Sequence, residues 1–168
     1  MIVSRGVFSN YGTADILLAT FALLYLLDRF ALKGKLGLPF IGRASMAVML
    51  IVTGISHFTS TESMVGMMPD FLPFKRELIY FTGICELAAV VGLLWDKTAR
   101  LASILLIVFF ILVLPANIAG SLKSVNFGGM EYGPLYRLFR VPLQIFFIWW
   151  VWHFGVRLAH NLRSGNRS

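Results

Sequence analysis

The chain consists of long apolar segments, and most of its charged residues lie in the short stretches between them. Hydrophobic residues make up 58% of the chain and charged residues 14%, whereas a soluble domain is about half apolar and about a quarter charged. The mean hydropathy is +0.78. Helices satisfy their own backbone hydrogen bonds inside lipid. The pattern therefore predicts an all-α fold, an integral membrane helical bundle.

Five segments are candidates for membrane-spanning helices. A helix needs roughly 20 apolar residues to cross the hydrocarbon core, and we expect spans at roughly 14–32, 44–58, 78–95, 99–122 and 138–158 of one transmembrane domain, 1–168. The first segment lacks the basic start and the cleavage site of a signal peptide, so we expect it to be retained. The connection at 59–74 is apolar but broken by prolines, which favours a surface-lying or re-entrant piece.

The basic residues predict the orientation of the bundle. The net charge is +7, but the Lys and Arg residues do not form the continuous stripe of a nucleic-acid-binding face, so we expect a lipid bilayer and no nucleic acid as partner. Under the positive-inside rule, the bias predicts a multi-pass protein of the cell membrane with its N-terminus outside and its C-terminus cytoplasmic. The residues that favour the cytoplasmic side are Arg29, Lys33, Lys35, Arg43, Lys97, Arg100, Arg157, Arg163 and Arg167.

Thiol and metal chemistry find little support in the sequence. Cys85 is the single cysteine, so the chain can form neither an internal disulfide nor a Cys-x-x-Cys redox pair. His153 and His160 fall in the cytoplasmic half of the fifth span, far in depth from His57. No metal site and no bis-histidine haem is predicted.

An ionisable residue inside a membrane span is a candidate functional group, because an isolated charge is unfavourable in hydrocarbon. Glu86 lies half-way along the third span, with Thr82 one helical turn earlier on the same face. A carboxyl group there must be paired or protonated. It serves either as a proton acceptor or ligand anchor, or as a structural ion pair between helices.

Polar residues also form a stripe near the start of the fifth span. Tyr136, Arg140 and Gln144 are spaced by four residues and share one helix face. The guanidinium of Arg140 is a candidate partner for the Glu86 carboxylate. The alternative is that Arg140 extends to lipid phosphates.

Two further polar residues lie in the predicted outer half of the bilayer. Asn117 follows Pro115, where it either contacts a ligand or satisfies backbone groups that the proline releases. His57 ends the second span. Together with Glu86, Arg140 and Gln144, these residues come from four spans at compatible depth and predict one pocket that opens outward.

Five short stretches of the sequence form an ordered set. They are Gly54-Ile55-Ser56-His57-Phe58, Met68-Pro69-Asp70-Phe71-Leu72-Pro73, Tyr80-Phe81-Thr82-Gly83-Ile84-Cys85-Glu86-Leu87, Leu114-Pro115-Ala116-Asn117-Ile118 and Arg140-Val141-Pro142-Leu143-Gln144. In this order and spacing they resemble the DoxX-like family of small membrane proteins. The resemblance implies a four-helix core at 43–158, to which this chain adds an N-terminal transmembrane helix. It also associates the chain with quinone-linked oxidation, redox-stress complexes or chaperoning of membrane partners.

Three functions are compatible with these residues. In the first, a redox component binds a quinone or another lipid-soluble ligand, Glu86 and His57 exchange protons, and a redox protein partner exchanges electrons. The ligand-binding residues would be Arg140, Gln144, Asn117, Thr82 and Tyr136. In the second, the chain is a membrane enzyme that isomerises or hydrates a lipid-like substrate by acid–base chemistry. In the third, it is a non-enzymatic membrane assembly protein or chaperone, and the polar cluster holds the helices together.

Overall fold

The structure is a computed structural model, and it describes residues 12–68, 72–122 and 134–158. Within these ranges, the side chains are described at every position except 67, 116–122 and 134–140. Every regular element in the described residues is a helix, so the all-α prediction is confirmed. The helices are α1 (Thr13–Phe30), α2 (Leu38–Thr59), α3 (Thr61–Met67), α4 (Lys75–Leu94), α5 (Ala99–Leu122) and α6 (Pro134–Val151), which continues into a π-helical turn (Trp152–Arg157).

Helix α2 begins earlier than the sequence pattern predicted. Gly37 has φ 74°, a left-handed conformation, and Pro39 occupies the first turn, where its missing N–H is not needed. The span predicted at 44–58 leaves Arg43 in the loop before it, and this placement is wrong, since Arg43 lies inside α2 and is buried. The connection at 59–74 contains the short helix α3.

Asp28 organises the turn between α1 and α2. Its side chain is buried, and its Oδ1 accepts a hydrogen bond from the backbone N–H of Leu36 at 2.9 Å. The backbone carbonyl of Asp28 accepts another from Gly34, also at 2.9 Å. This acidic residue near the end of an apolar segment therefore fixes the turn that reverses the chain.

The long helices pack side by side with alternating direction, and α2 with α4 form the most extensive pair. An apolar core runs through the middle of the bundle and contains Leu50, Val90, Leu106, Phe147 and Trp150. We name each end of the bundle after a buried ionisable residue, and Glu86 itself lies near the middle of α4. The Glu86 end contains the end of α2 and the start of α4, and the Arg43 end contains the start of α2, the end of α4 and the π-helical turn.

The Arg43 end is closely packed around two glycines. A Cβ atom on Gly155, in the π-helical turn, would lie 2.0 Å from Ser103 Oγ of α5, and one on Gly42 would lie 2.2 Å from Cγ of the Phe154 ring. Trp150 donates a hydrogen bond from its indole nitrogen to the carbonyl of Gly42 at 3.0 Å. These contacts join the last helix to the second helix and to α5.

Among the residues that the structure describes, two helices, α2 and α4, are long and apolar enough to cross a bilayer, and in α5 the shorter stretch Ala99–Pro115 is also apolar. In its most apolar window, α4 has only 28% of its residues buried within the bundle, so most of its apolar surface faces outward. Large apolar side chains are also exposed on the neighbouring helix, where Leu112 is 72% exposed. The described residues thus expose far more apolar surface than single, scattered surface residues would.

Candidate functional site

Glycines allow α2 and α4 to approach closely at the Glu86 end. A Cβ on Gly83 would lie 2.8 Å from the Cβ of His57, and one on Gly54 would lie 3.0 Å from the Leu87 side chain. A larger residue at either position would have to displace the facing side chain. Small residues bring membrane helices together in the same way. The close approach places the side chains beside these glycines within hydrogen-bonding distance across the helix pair.

Glu86 is the buried acidic residue of this contact. Its residue surface is 8% exposed, and it lies four residues before Val90, so it extends the buried face of α4 beyond the apolar core. The Oγ1 of Thr53, on α2, lies 2.6 Å from Glu86 Oε2. That distance is typical of a hydroxyl donating to a carboxylate. A carboxylate removed from water requires such a partner, because desolvation is unfavourable by several kcal/mol.

Thr53 can satisfy Glu86 in either protonation state. The Thr53 Oγ1 also lies 3.2 Å from the carbonyl oxygen of Met49 and 3.3 Å from that of Leu50. A hydroxyl is one donor and two acceptors. With Glu86 ionised, the hydroxyl donates to Oε2; with Glu86 protonated, Oε2–H donates to Oγ1 and the hydroxyl proton turns to a backbone carbonyl. Both arrangements use the same heavy-atom positions.

His57 lies beside this pair with a defined tautomer. Its Nδ1 is 2.8 Å from the carbonyl oxygen of Thr53, and because a carbonyl can only accept, Nδ1 carries the proton. The same nitrogen is 3.8 Å from Glu86 Oε2, too far for a hydrogen bond but close enough for electrostatic attraction once the ring is charged. In this tautomer Nε2 is the acceptor, and it has no hydrogen-bond partner among the residues that the structure describes.

Thr53 is the central residue of the site, and the sequence analysis did not select it. Its hydroxyl contacts Glu86, while its carbonyl accepts hydrogen bonds from His57 and from Ser56 Oγ at 2.6 Å. The available signal was the spacing of four residues between Thr53 and His57, which places both on one face of α2. We define Thr53, His57 and Glu86 as the polar triad.

The structure places Gln144 in a helix-to-helix contact. Its side chain is buried, and Nε2 donates a hydrogen bond to the carbonyl of Phe110, on α5, at 2.9 Å. Thr82, half-buried on α4, donates to the carbonyl of Ile79 in its own helix at 2.8 Å. Each group already has a protein partner, so their ligand-binding roles stay predictions.

The remaining predicted site residues lie outside the side chains that the structure describes. For these residues the structure describes the helix alone: Asn117 lies in α5, and Tyr136 and Arg140 lie in α6. The predicted pairing of Arg140 with Glu86 therefore stays a prediction. Across the described ranges 12–68, 72–122 and 134–158, no group of three or more His, Cys, Asp and Glu residues is arranged to hold a metal ion.

The family described as "Domain of unknown function (DUF8561)" matches residues 46–155, about two thirds of the chain. The chain belongs to this family. No curated protein and no solved structure matches the chain.

The polar triad lies wholly within the segment that defines the DUF8561 family, whereas Arg43 and helix α1 precede it. The matched segment begins about two turns into α2 and ends inside the π-helical turn, so it contains most of α2, all of α3 to α5, and α6. The family description carries no function. The site itself brings together a buried carboxyl group, an imidazole and a hydroxyl.

Proposed function

We propose that the chain is a multi-pass protein of the cell membrane in which the polar triad exchanges protons with a lipid-soluble ligand, a quinone or a molecule like it. The membrane location is supported by the two apolar helices of spanning length and by the outward-facing side chains of α4, among them Phe81 and Val91, each more than 60% exposed. In water such a surface would drive aggregation, whereas in lipid it is the expected contact face.

The distribution of charge supports an orientation with the Arg43 end in the cytoplasm. That end carries exposed cations, while its acidic residues Asp28 and Asp96 are engaged in hydrogen bonds within the protein. The exposed charges described at the Glu86 end are mixed in sign. Under the positive-inside rule this asymmetry favours a cytoplasmic Arg43 end and an outer Glu86 end. The exposed cations are Arg29, Lys33, Lys35, Lys97, Arg100 and Arg157.

The proton-exchange proposal rests on the Thr53 hydroxyl, which can donate a hydrogen bond to Glu86 or accept one from it. A hydroxyl can both donate and accept, so Glu86 has a partner that serves both protonation states without moving. A group of this kind can gain and lose a proton with little rearrangement. That property is what a general acid–base or proton-transfer residue requires.

In this proposal His57 is the group that contacts the ligand. Its Nδ1–H is held by the Thr53 carbonyl, so its Nε2 can accept a proton from a ligand hydroxyl. The resulting imidazolium is stabilised by the nearby Glu86 carboxylate. Oxidation of a quinol releases two protons and two electrons; His57 and Glu86 take the protons, and a redox protein partner takes the electrons. A DoxX-like four-helix core is part of the same proposal.

The test is ligand-induced thermal stabilisation of the purified chain in detergent, with a short-chain ubiquinone in its reduced quinol form as the probe, since a quinol hydroxyl can donate to His57 Nε2. We expect the wild-type melting temperature to rise with ligand concentration, and the His57→Leu variant to lose most of that shift. Glu86→Gln should keep the fold, because an amide can still bond to Thr53, but it should slow quinol oxidation by an added soluble electron acceptor, because one of the two proton acceptors is lost. Glu77→Gln, an exposed change on the same helix, is the matched control and should behave as wild type.

A second candidate function is a non-enzymatic assembly protein, and the hydrogen bond from Gln144 to Phe110 favours it, because there a predicted ligand-binding residue links two helices. The same titration separates the two proposals. If the quinol produces no shift in the wild type, and Glu86→Gln and His57→Leu lower the melting temperature equally with and without it, the polar triad is structural and the redox proposal is wrong.

A further inference from the structure

A groove on the outside of α4 lies at the Arg43 end of the bundle. It has a volume of about 640 Å³ and is lined along one side by the apolar residues Val90, Val91, Leu94 and Trp95. Asp96 and Lys97 line its outer end. Within the groove, Val91 and Trp95 are each more than 60% exposed. The groove therefore changes from apolar to charged along the helix axis, over less than two helical turns.

The charged end of the groove is held in place by hydrogen bonds. The carbonyl of Trp95 accepts bonds from the N–H groups of Thr98 and Ala99, at 3.0 and 2.8 Å, which closes the turn between α4 and α5. Asp96 is tied to the buried Arg43 at 2.6 Å. The turn is thus anchored to α2, and the position of Lys97 relative to the apolar wall is set by the fold.

The electrostatic field at this end favours an anion. Lys97 and Arg100 are both exposed, and Lys33 and Lys35 are exposed on the α1–α2 turn at the same end of the bundle. The acidic residue of the groove is engaged with Arg43. An anionic group at the mouth of the groove would therefore meet a predominantly positive surface.

We propose that this groove binds an anionic phospholipid of the leaflet that surrounds the Arg43 end. One acyl chain lies along Val91 and Leu94, the Trp95 indole lies at the level of the glycerol, and Lys97 contacts the phosphate. A soluble phosphate would meet the same cation but would leave the apolar wall unused, so the groove selects the lipid. The inference rests on the proposed membrane location, and it is independent of the polar triad.

The experiment measures binding of the first lipid to the full chain in detergent by native mass spectrometry. The probes are dioleoyl phosphatidylglycerol and dioleoyl phosphatidylcholine. We expect the wild type to bind phosphatidylglycerol more tightly, and Lys97→Gln to weaken that binding about fivefold while leaving phosphatidylcholine unchanged. Lys75→Gln, at the other end of α4, removes the same charge and should have no effect.

A second variant tests the apolar wall. Val91→Trp fills the groove at an exposed position, so it should not disturb the core, and it should remove the preference for phosphatidylglycerol. Glycerol 3-phosphate, which has the phosphate without the acyl chains, should not compete. Equal affinity for the two lipids, or equal effects of Lys97→Gln and Lys75→Gln, would overturn the inference. Release of the chain from membranes by alkaline carbonate would instead contradict the membrane location itself.

Discussion

The two ends of the bundle each contain a buried ionisable side chain from a long helix, and they satisfy it in different ways. Arg43, 7% exposed, is paired with Asp96, which is 80% exposed and extends to the surface. Glu86 is paired with a hydroxyl, and its nearest described basic group is His57. Arg43 is therefore paired at the solvent boundary, whereas the partners of Glu86 among the described side chains, Thr53 and His57, lie within the bundle.

The difference separates a fixed charge from an exchangeable one. A guanidinium keeps its proton at any physiological pH, so the charge of this group is fixed. A carboxyl group next to an imidazole and a hydroxyl can change its proton content. The contact between Arg43 and Asp96 thus links α2 to the turn after α4, and the Glu86 end is where we propose that protons are exchanged. Mutations that disturb packing should have larger effects at the Arg43 end than at the Glu86 end.

The largest loss of stability is expected for Gly155→Ala. The new Cβ would lie 2.0 Å from Ser103 Oγ and 2.7 Å from Ser103 Cβ, so two helix backbones must separate. We expect the free energy of unfolding to fall by about 3 kcal/mol, measured by denaturant titration in detergent. Adding Ser103→Gly removes both clashing atoms and should recover most of the loss. Failure of that second change to restore stability would show that the close contact is not the cause.

A smaller loss is expected for Gly83→Ala at the Glu86 end. The new Cβ would lie 2.8 Å from His57 Cβ and 3.0 Å from the ring of Phe58, which is partly exposed and can move. We expect a loss of about 1–2 kcal/mol together with weakened quinol-induced stabilisation, because α2 and α4 must separate at the polar triad. A stability loss that leaves the ligand response intact would argue against a site between these helices.

The smallest effect is expected for Asp96→Asn. Loss of the Asp96 carboxylate leaves the buried Arg43 with the carbonyl of Pro39 at 3.3 Å and its contact with the Phe40 ring. Because Asp96 is largely exposed, water can replace it, and we expect a loss of about 1 kcal/mol or less. Arg43→Met in the same background should restore stability, since the buried charge is then gone. A loss as large as that of Gly155→Ala would mean that the pair is shielded from solvent.

Some of this arrangement could be predicted from the sequence. The helical class followed from the length of the apolar segments, and Glu86 was selected because an acidic residue half-way along such a segment is rare. His57 was selected from its position at the end of a span. The distance of 3.8 Å between His57 Nδ1 and Glu86 Oε2 depends on the relative rotation of α2 and α4. The glycines at 54 and 83 lie where the two helices approach closely, and the sequence does not indicate that they face each other.

Arg43 and Thr53 show why the rest was missed. Arg43 follows a Gly-Leu-Pro stretch, and the positive-inside pattern favoured a loop position, although the same Pro marks the start of a helix. Its partner lies 53 residues away, and only the packed structure brings the two together. Thr53 is an ordinary residue inside an apolar helix, and its importance comes from a hydroxyl that reaches across to another helix.

The bond between Trp150 and Gly42 has a consequence for the order of events during synthesis. It joins residues that are 108 positions apart, and the same indole contacts Phe21 of α1 at a centroid distance of 5.0 Å. The partner of α1 and α2 is therefore synthesised long after these two helices. Until α6 is made, the α1–α2 hairpin has part of its inner face uncovered. Synthesis of α6, and not formation of the first helices, is then the step that commits the bundle to its final packing.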